Sequence, residues 1–157
     1  MTRIIKLTRG YETLVDDEDF EELSKHKWHA HGKDRYIYAA RSELKDGRIV
    51  RFLMHKELLY SGRLMVDHKN GSTLDNRREN LRKATRGLNR ANSTLRKNKL
   101  SQYRGVSPVG PSWRAQIAGV TIGSLFKKEV SAALAYDWEA RQRFGGFARL
   151  NFPYGVG

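Results

Sequence analysis

The sequence contains no cysteine, which excludes disulfides and every cysteine-based zinc site. It also lacks any run approaching the roughly 18 apolar residues of a membrane span, and its first residues, MTRIIKLTRG, lack the apolar core of a secretory signal. A cytoplasmic protein with no membrane partner is therefore expected. Acidic residues are scarce in one place: residues 76–104 hold ten basic side chains and one acidic one, Glu79. Residues 1–60, by contrast, are nearly balanced, with 12 basic and 11 acidic side chains.

Over two-thirds of the net charge of +13 thus falls in less than a fifth of the 157 residues. A stripe this concentrated is the electrostatic footprint of a protein that binds a phosphate backbone. A solvated basic linker and a membrane-surface patch are the other readings, and the second calls for bulky apolar residues that the stretch lacks. The length allows one ordinary domain or two small ones.

The stripe begins inside the most informative segment, Val66 to Asn92, VDHKNGSTLDNRRENLRKATRGLNRAN. It sets a carboxylate and an imidazole side by side and follows them with spaced asparagines, a pattern suited to metal-dependent hydrolysis of phosphodiesters. Such hydrolysis near neutral pH needs a positioned base and a divalent cation to absorb charge on the phosphate. His68 is the natural base, because an unperturbed imidazole titrates at about 6.5. Asp67 is the natural hard oxygen ligand for a magnesium-like ion, which keeps waters and takes only one or two protein oxygens. Neighbours on a strand point to opposite faces, so the two can serve one site only if the strand is distorted or other groups wrap around it. An ordinary turn before Asn70-Gly71 is the plainer reading of the pair. Asp75 is expected to cap a helix, and Arg82 to Asn92 to form one.

With Asn80 twelve residues after His68 and Asn89 nine after Asn80, the segment resembles the HNH nucleases, in the Asp-His...Asn...Asn variant of phage and intron-encoded homing endonucleases. The resemblance implies a small ββα-metal module in which Asp67 and Asn89 hold one Mg2+ (or Mn2+) ion, His68 activates water and Asn80 orients the His68 ring. Asn76 and Asn92 lie near enough to compete for the amide roles. His55, in MHKELLY just before the motif, is open to three readings: a phosphate contact, a supporting group of the metal site, or a structural residue at a helix start.

Ahead of the motif, strands are expected at Arg3–Leu7, Lys27–His31, Tyr36–Ser42 and Arg48–Leu53, with a helix from Asp16 and a hairpin turn at Asp46-Gly47. Trp28, Tyr36 and Tyr38 read as core or sheet surface. His29 and His31 share one strand face, where a two-histidine metal site and a merely polar face are both open readings.

Behind the motif, residues 93–102 read as a basic linker with almost nothing apolar, carrying Arg96, Lys97 and Lys99. Next, Trp113, Ala115 and Ile117 alternate with Arg114 and Gln116 as a half-buried strand requires. Ala132, Tyr136, Ala140 and Phe144 recur at helical spacing. YRGV, WRAQI, AALAYD and ARLNFP in that order resemble the plant ethylene-response-factor (Apetala-type) DNA-binding domain, which also occurs fused to phage HNH nucleases. That resemblance implies a three-stranded antiparallel sheet packed on one helix, with Arg104, Arg114 and Gln116 as candidates for DNA contact. Further arginines usual on such strands are replaced here by Ser107, Val109 and Ala118, so the target sequence is expected to differ.

The reading is an α+β chain: residues 1–92 a β-rich region with the HNH nuclease module (core motif 55–92), 93–102 the linker, and 103–153 the ethylene-response-factor-type domain. The function expected is a site-directed, homing-type DNA endonuclease that nicks double-stranded DNA, as a monomer or weak dimer without a small-molecule cofactor. Arg86, Arg90, Arg96, Lys97 and Lys99 would supply backbone contacts. A non-catalytic, sequence-specific DNA-binding regulator that keeps an HNH-like fold is the alternative, and an RNA-binding protein is a third class.

Overall fold

The computed structural model describes residues 1–34, 36–60, 62–93 and 100–153. The chain divides into two units, Met1–Arg86 and Gly87–Gly157. Arg96, Lys97 and Lys99 lie outside the described residues.

In the first unit, β1 (Thr2–Lys6) and β2 (Glu12–Asp16) pair antiparallel, reversing through Arg9 and Gly10, both at positive φ. Alternate residues of β2, Thr13 and Val15, are fully buried. Asp17, Glu18 and Asp19 open α1 (Asp17–Ser24), where carboxylates complement the helix dipole. A meander follows, β3 (His29–Lys33), β4 (Tyr36–Lys45) and β5 (Arg48–Leu53), with β4 central. Its tight turn is the expected Asp46-Gly47, with φ of 49° and 73°, the double positive φ that a two-residue hairpin loop favours. Ile5, Val15, Trp28, Ile37, Ala39 and Met54 form the core. Met54 opens the short α2 (Met54–Leu58).

The motif itself folds as β6 (Met65–His68) paired antiparallel with β7 (Leu81–Ala84) around the loop 69–80, followed by α3 (Arg86–Asn92), which begins at the unit boundary. This corrects two expectations. Arg82 does not start a helix, because pairing with β6 buries Leu81 and Ala84 and sets Arg82 opposite Asp67, and that tertiary gain outweighs the helical preference of Leu-Arg-Lys-Ala. Asp75 caps no helix: its carboxylate accepts hydrogen bonds from Arg77 and Asn70, and the chain after it makes only a 3-10 turn at Arg78–Asn80.

In the second unit, β8 (Val106–Val109), β9 (Ser112–Ile117) and β10 (Val120–Phe126) form an antiparallel sheet with β9 central, and α4 (Glu129–Phe144) covers one face. Val106, Ala115, Ala132 and Ala133 make one part of its core, and Ile117, Tyr136 and Ala140 the other. The alternation in WRAQI and the alanine spacing of α4 are realised as expected. Past α4 the chain is strapped back by Asp137, whose carboxylate accepts from the backbone N–H groups of Asn151 and Phe152 at 2.8 and 2.7 Å. Among the described residues no helix is long and apolar enough to cross a membrane.

Candidate functional site

The loop 69–80 is irregular, so its shape depends on side chains and on the strands beneath it. Leu14 of β2 bonds both sides of it: its N–H donates to the Leu74 carbonyl at 2.9 Å, and its carbonyl accepts from Asn76 N–H at 2.8 Å. From α1 and the residue before it, Asp16 accepts the Arg78 N–H at 2.7 Å, and Asp19 takes the Arg78 guanidinium in a two-pronged pair at 2.8 and 2.7 Å. Thr73 donates its hydroxyl to the Ile37 carbonyl in β4. The β-rich N-terminal region is thus the scaffold of the motif, a role that nothing in its own composition announces.

Asn80 closes the loop from inside. Its side chain accepts the Asn70 N–H at 3.0 Å and donates to the Asp75 carbonyl at 2.8 Å. The ring of His68 meets a different amide: Nε2 lies 3.2 Å from Oδ1 of the fully buried Asn76. Asn76 is one of the two residues that competed with Asn80 in the sequence, and its spacing alone does not single it out. Asn76 in turn donates from Nδ2 to the Thr13 hydroxyl at 2.8 Å, and Thr13 donates to the Leu74 carbonyl at 2.8 Å. The direction of this chain fixes the amide, because Thr13 gives its only proton to the carbonyl and must accept from Asn76. Oδ1 therefore faces the imidazole and accepts from Nε2–H, and a neutral ring that donates from Nε2 carries its lone pair on Nδ1. Asn76→Ala is expected to slow any His68-dependent cleavage about ten- to a hundredfold, checked by single-turnover rates at matched DNA affinity.

Two aromatic side chains close around His68. The His55 ring stands edge-on to it with centroids 5.1 Å apart, and Tyr38 lies 5.4 Å from His55 and 6.3 Å from His68. Burial pushes the His68 imidazole below its ordinary pKa, against the contrary pull of the Asn76 hydrogen bond and of Asp67 and Asp75. Burial, then His68 and Lys56, push His55 down to about 3. Both rings are therefore neutral near pH 7.

The His55 shift makes stability depend on acid in a defined direction. The folded state holds His55 neutral while the unfolded chain takes up a proton near pH 6.5, so its contribution is complete above 6.5 and is lost as pH falls from 6.5 toward 3. The loss is roughly 1 kcal/mol per pH unit in that window. Thermal melts between pH 7.5 and 4.5 should show a falling midpoint for the wild type and a flatter line for His55→Leu.

Asp67 faces Arg82 across the β6–β7 ladder, with Oδ2 2.9 Å from Nε and 2.9 Å from Nη2. Among the described residues no group of three or more histidine, aspartate and glutamate side chains is placed to hold a metal ion. Asp67 and His68 are successive residues of a strand in unbroken register with β7, so their side chains leave opposite faces. A single carboxylate fits a hydrated hard cation such as magnesium and does not fit a zinc-type centre caged by protein ligands. Asn89 lies half-buried on α3, Asn92 is buried at its end, and Arg86 and Arg90 are exposed. His29 and His31 stand with ring centroids 6.5 Å apart, but Nε2 of His31 is 3.4 Å from the Arg51 guanidinium, a cation that repels a second one.

In the second unit the sheet face away from α4 carries Ser107, Arg114, Gln116 and Thr121 in register. Nε of Arg114 and Oγ of Ser107 are buried without a hydrogen-bond partner among the described residues. Buried polar atoms are normally satisfied, so these two are exceptions within the sheet. Arg104 is engaged within its own unit: Nη2 donates to the Arg90 carbonyl at 3.0 Å, Nη1 to the Ser93 carbonyl, and Nε to the Tyr136 hydroxyl at 2.7 Å. It caps the end of α3, a long-range task its place in the YRGV block does not signal.

Compared with known proteins, the chain matches no protein-family model, no curated protein and no solved structure.

Proposed function

We propose that this chain is a metal-dependent DNA endonuclease of the homing type that nicks double-stranded DNA. The observation that carries the reading is the oriented chain from Leu74 through Thr13 and Asn76 to His68, which leaves a neutral imidazole with its basic nitrogen at Nδ1, next in sequence to the Asp67 carboxylate. In chain order β6, β7 and α3 run strand, strand, helix, the order that the HNH module has.

His68 takes a proton from water as the water oxygen bonds to phosphorus, and the bond from phosphorus to the leaving oxygen breaks. Asn76 holds the ring in the tautomer this requires, and Asn80 holds the loop that carries Asn76. A bound magnesium or manganese ion would be held by Asp67, and it supplies positive charge to the phosphate oxygens and the leaving oxygen. The metal role of Asn89 rests on the sequence resemblance alone. Affinity and site choice are assigned to the basic stripe and to the sheet bearing Arg114 and Gln116, whose guanidinium and amide have the chemistry to meet phosphate and base acceptors.

One observation favours the second reading, a DNA-binding regulator without turnover: Asp67 is 5% exposed and already ion-paired with Arg82. Incubation of the purified protein with a library of supercoiled plasmids, with magnesium and with EDTA, separates the two. Open-circle product that appears only with metal supports the nuclease, whereas intact plasmid beside a clear gel shift supports the regulator.

A further inference from the structure

We infer that the cleft between β5 and α2 in the first unit is a docking surface for the phosphodiester backbone of duplex DNA, gripped by Arg51, Lys56 and Tyr60. It rests on the reading of duplex DNA as the substrate, but it places Arg51 ahead of the motif and all three contacts outside the basic stripe of residues 76–104.

The cleft encloses about 700 Å³, with His31, Arg51, Lys56, Glu57 and Tyr60 in its lining. Its charge is uncompensated. The carboxylate of Glu57 is taken by Arg41, whose Nε lies 3.0 Å from both carboxylate oxygens. Arg51 and Lys56 have no carboxylate partner among the described residues. The polar neighbour of the Arg51 guanidinium is instead an imidazole, Nε2 of His31 at 3.4 Å. Arg51 also acts on His29, whose pKa is pushed down first by burial, then by Arg51 and His31. A guanidinium beside an imidazole, with the cleft's carboxylate bonded to Arg41, is an arrangement that a bound anion stabilises.

Tyr60 identifies the anion further. It is 82% exposed, an amphipathic ring whose hydroxyl can donate to a phosphate oxygen while its body covers a sugar. Position supplies the rest. Lys56 enters the cleft from α2, and the preceding residue of the same helix, His55, packs its ring on His68.

The test is a salt series of anisotropy titrations with the full chain, a labelled 30-base-pair duplex and EDTA in place of metal. Arg51→Ala/Lys56→Ala is expected to bind about tenfold more weakly on unrelated duplex sequences, and the slope of log K against log salt should be shallower by about two. The charge-preserving Arg51→Lys/Lys56→Arg should restore most of the slope, and Tyr60→Ala should weaken binding with the slope little changed. Inorganic phosphate at equal charge concentration should not displace the duplex. A wild type that binds while the double alanine variant matches it in affinity and slope overturns the docking surface alone. A wild type that binds no duplex overturns the substrate reading, and the docking surface with it.

Discussion

His68→Ala is expected to lower the nicking rate by 10²- to 10⁴-fold, about 3–5 kcal/mol of transition-state stabilisation, while affinity for the same DNA stays within about twofold. The size follows from the loss of a general base. The unchanged affinity follows from geometry: the ring is 5% exposed and its Nε2 proton is committed to Asn76, so it adds little contact surface. Substitution leaves Asn76 Oδ1 without its proton, a cost of roughly 1–3 kcal/mol that thermal melts would register separately from rate. His68→Gln, which can still donate toward Asn76 but has no basic nitrogen, should recover the melting point without recovering the rate. A His68→Gln protein that nicks as fast as the wild type would remove His68 from the chemistry.

The second large effect is on folding. Gly105→Ala is expected to destabilise the second unit by about 3 kcal/mol or more, a large part of a small domain's total stability. Gly105 has φ of +71°, a backbone that side chains strain to adopt, and an added Cβ would lie 2.1 Å from the Tyr136 ring and 2.6 Å from the Gln116 carbonyl. Neither neighbour has room to give: Tyr136 is 4% exposed in the core and accepts from Arg104, and the Gly105 carbonyl accepts the Gln116 N–H at 2.7 Å. Calorimetry of the full chain should show the transition of the second unit moving down while that of the first unit holds, with DNA affinity falling alongside. An unchanged melting profile would mean that the backbone at Gly105 is not as described.

How much of this was legible in the sequence varies with the range of the interactions involved. The β9 strand and α4 could be read because Trp113, Ala115 and Ile117, and then Ala132, Tyr136 and Ala140, carry their burial as a local period. The Asp46-Gly47 turn could be read because only a few residue types tolerate two positive φ values in succession. By contrast, β2 is short and its decisive contacts, Leu14 with Leu74 and Asn76, lie some sixty residues away, so no local period reports them. Arg82 illustrates the same limit, since Leu-Arg-Lys-Ala favours a helix until Asp67 is placed across from it.

At the site, Asp67 and His68 stood out only in company with the spaced asparagines and the basic stretch that follows, since alone the pair reads as an ordinary turn. The choice among Asn76, Asn80 and Asn92 for the His68 ring did not, because it turns on which amide Thr13 can reach. Arg104 reads in the sequence as a candidate for DNA contact, while its task of capping α3 depends on a fold that brings Arg90 and Ser93 to it.

The most direct measurement is chemical rescue: single-turnover nicking by His68→Gly with magnesium, as imidazole is added. The expected result is a rate far below wild type without imidazole that rises with its concentration and follows the fraction of neutral imidazole as pH changes. Nicking by His68→Gly at the wild-type rate, indifferent to imidazole, would contradict the assignment of His68 as the base.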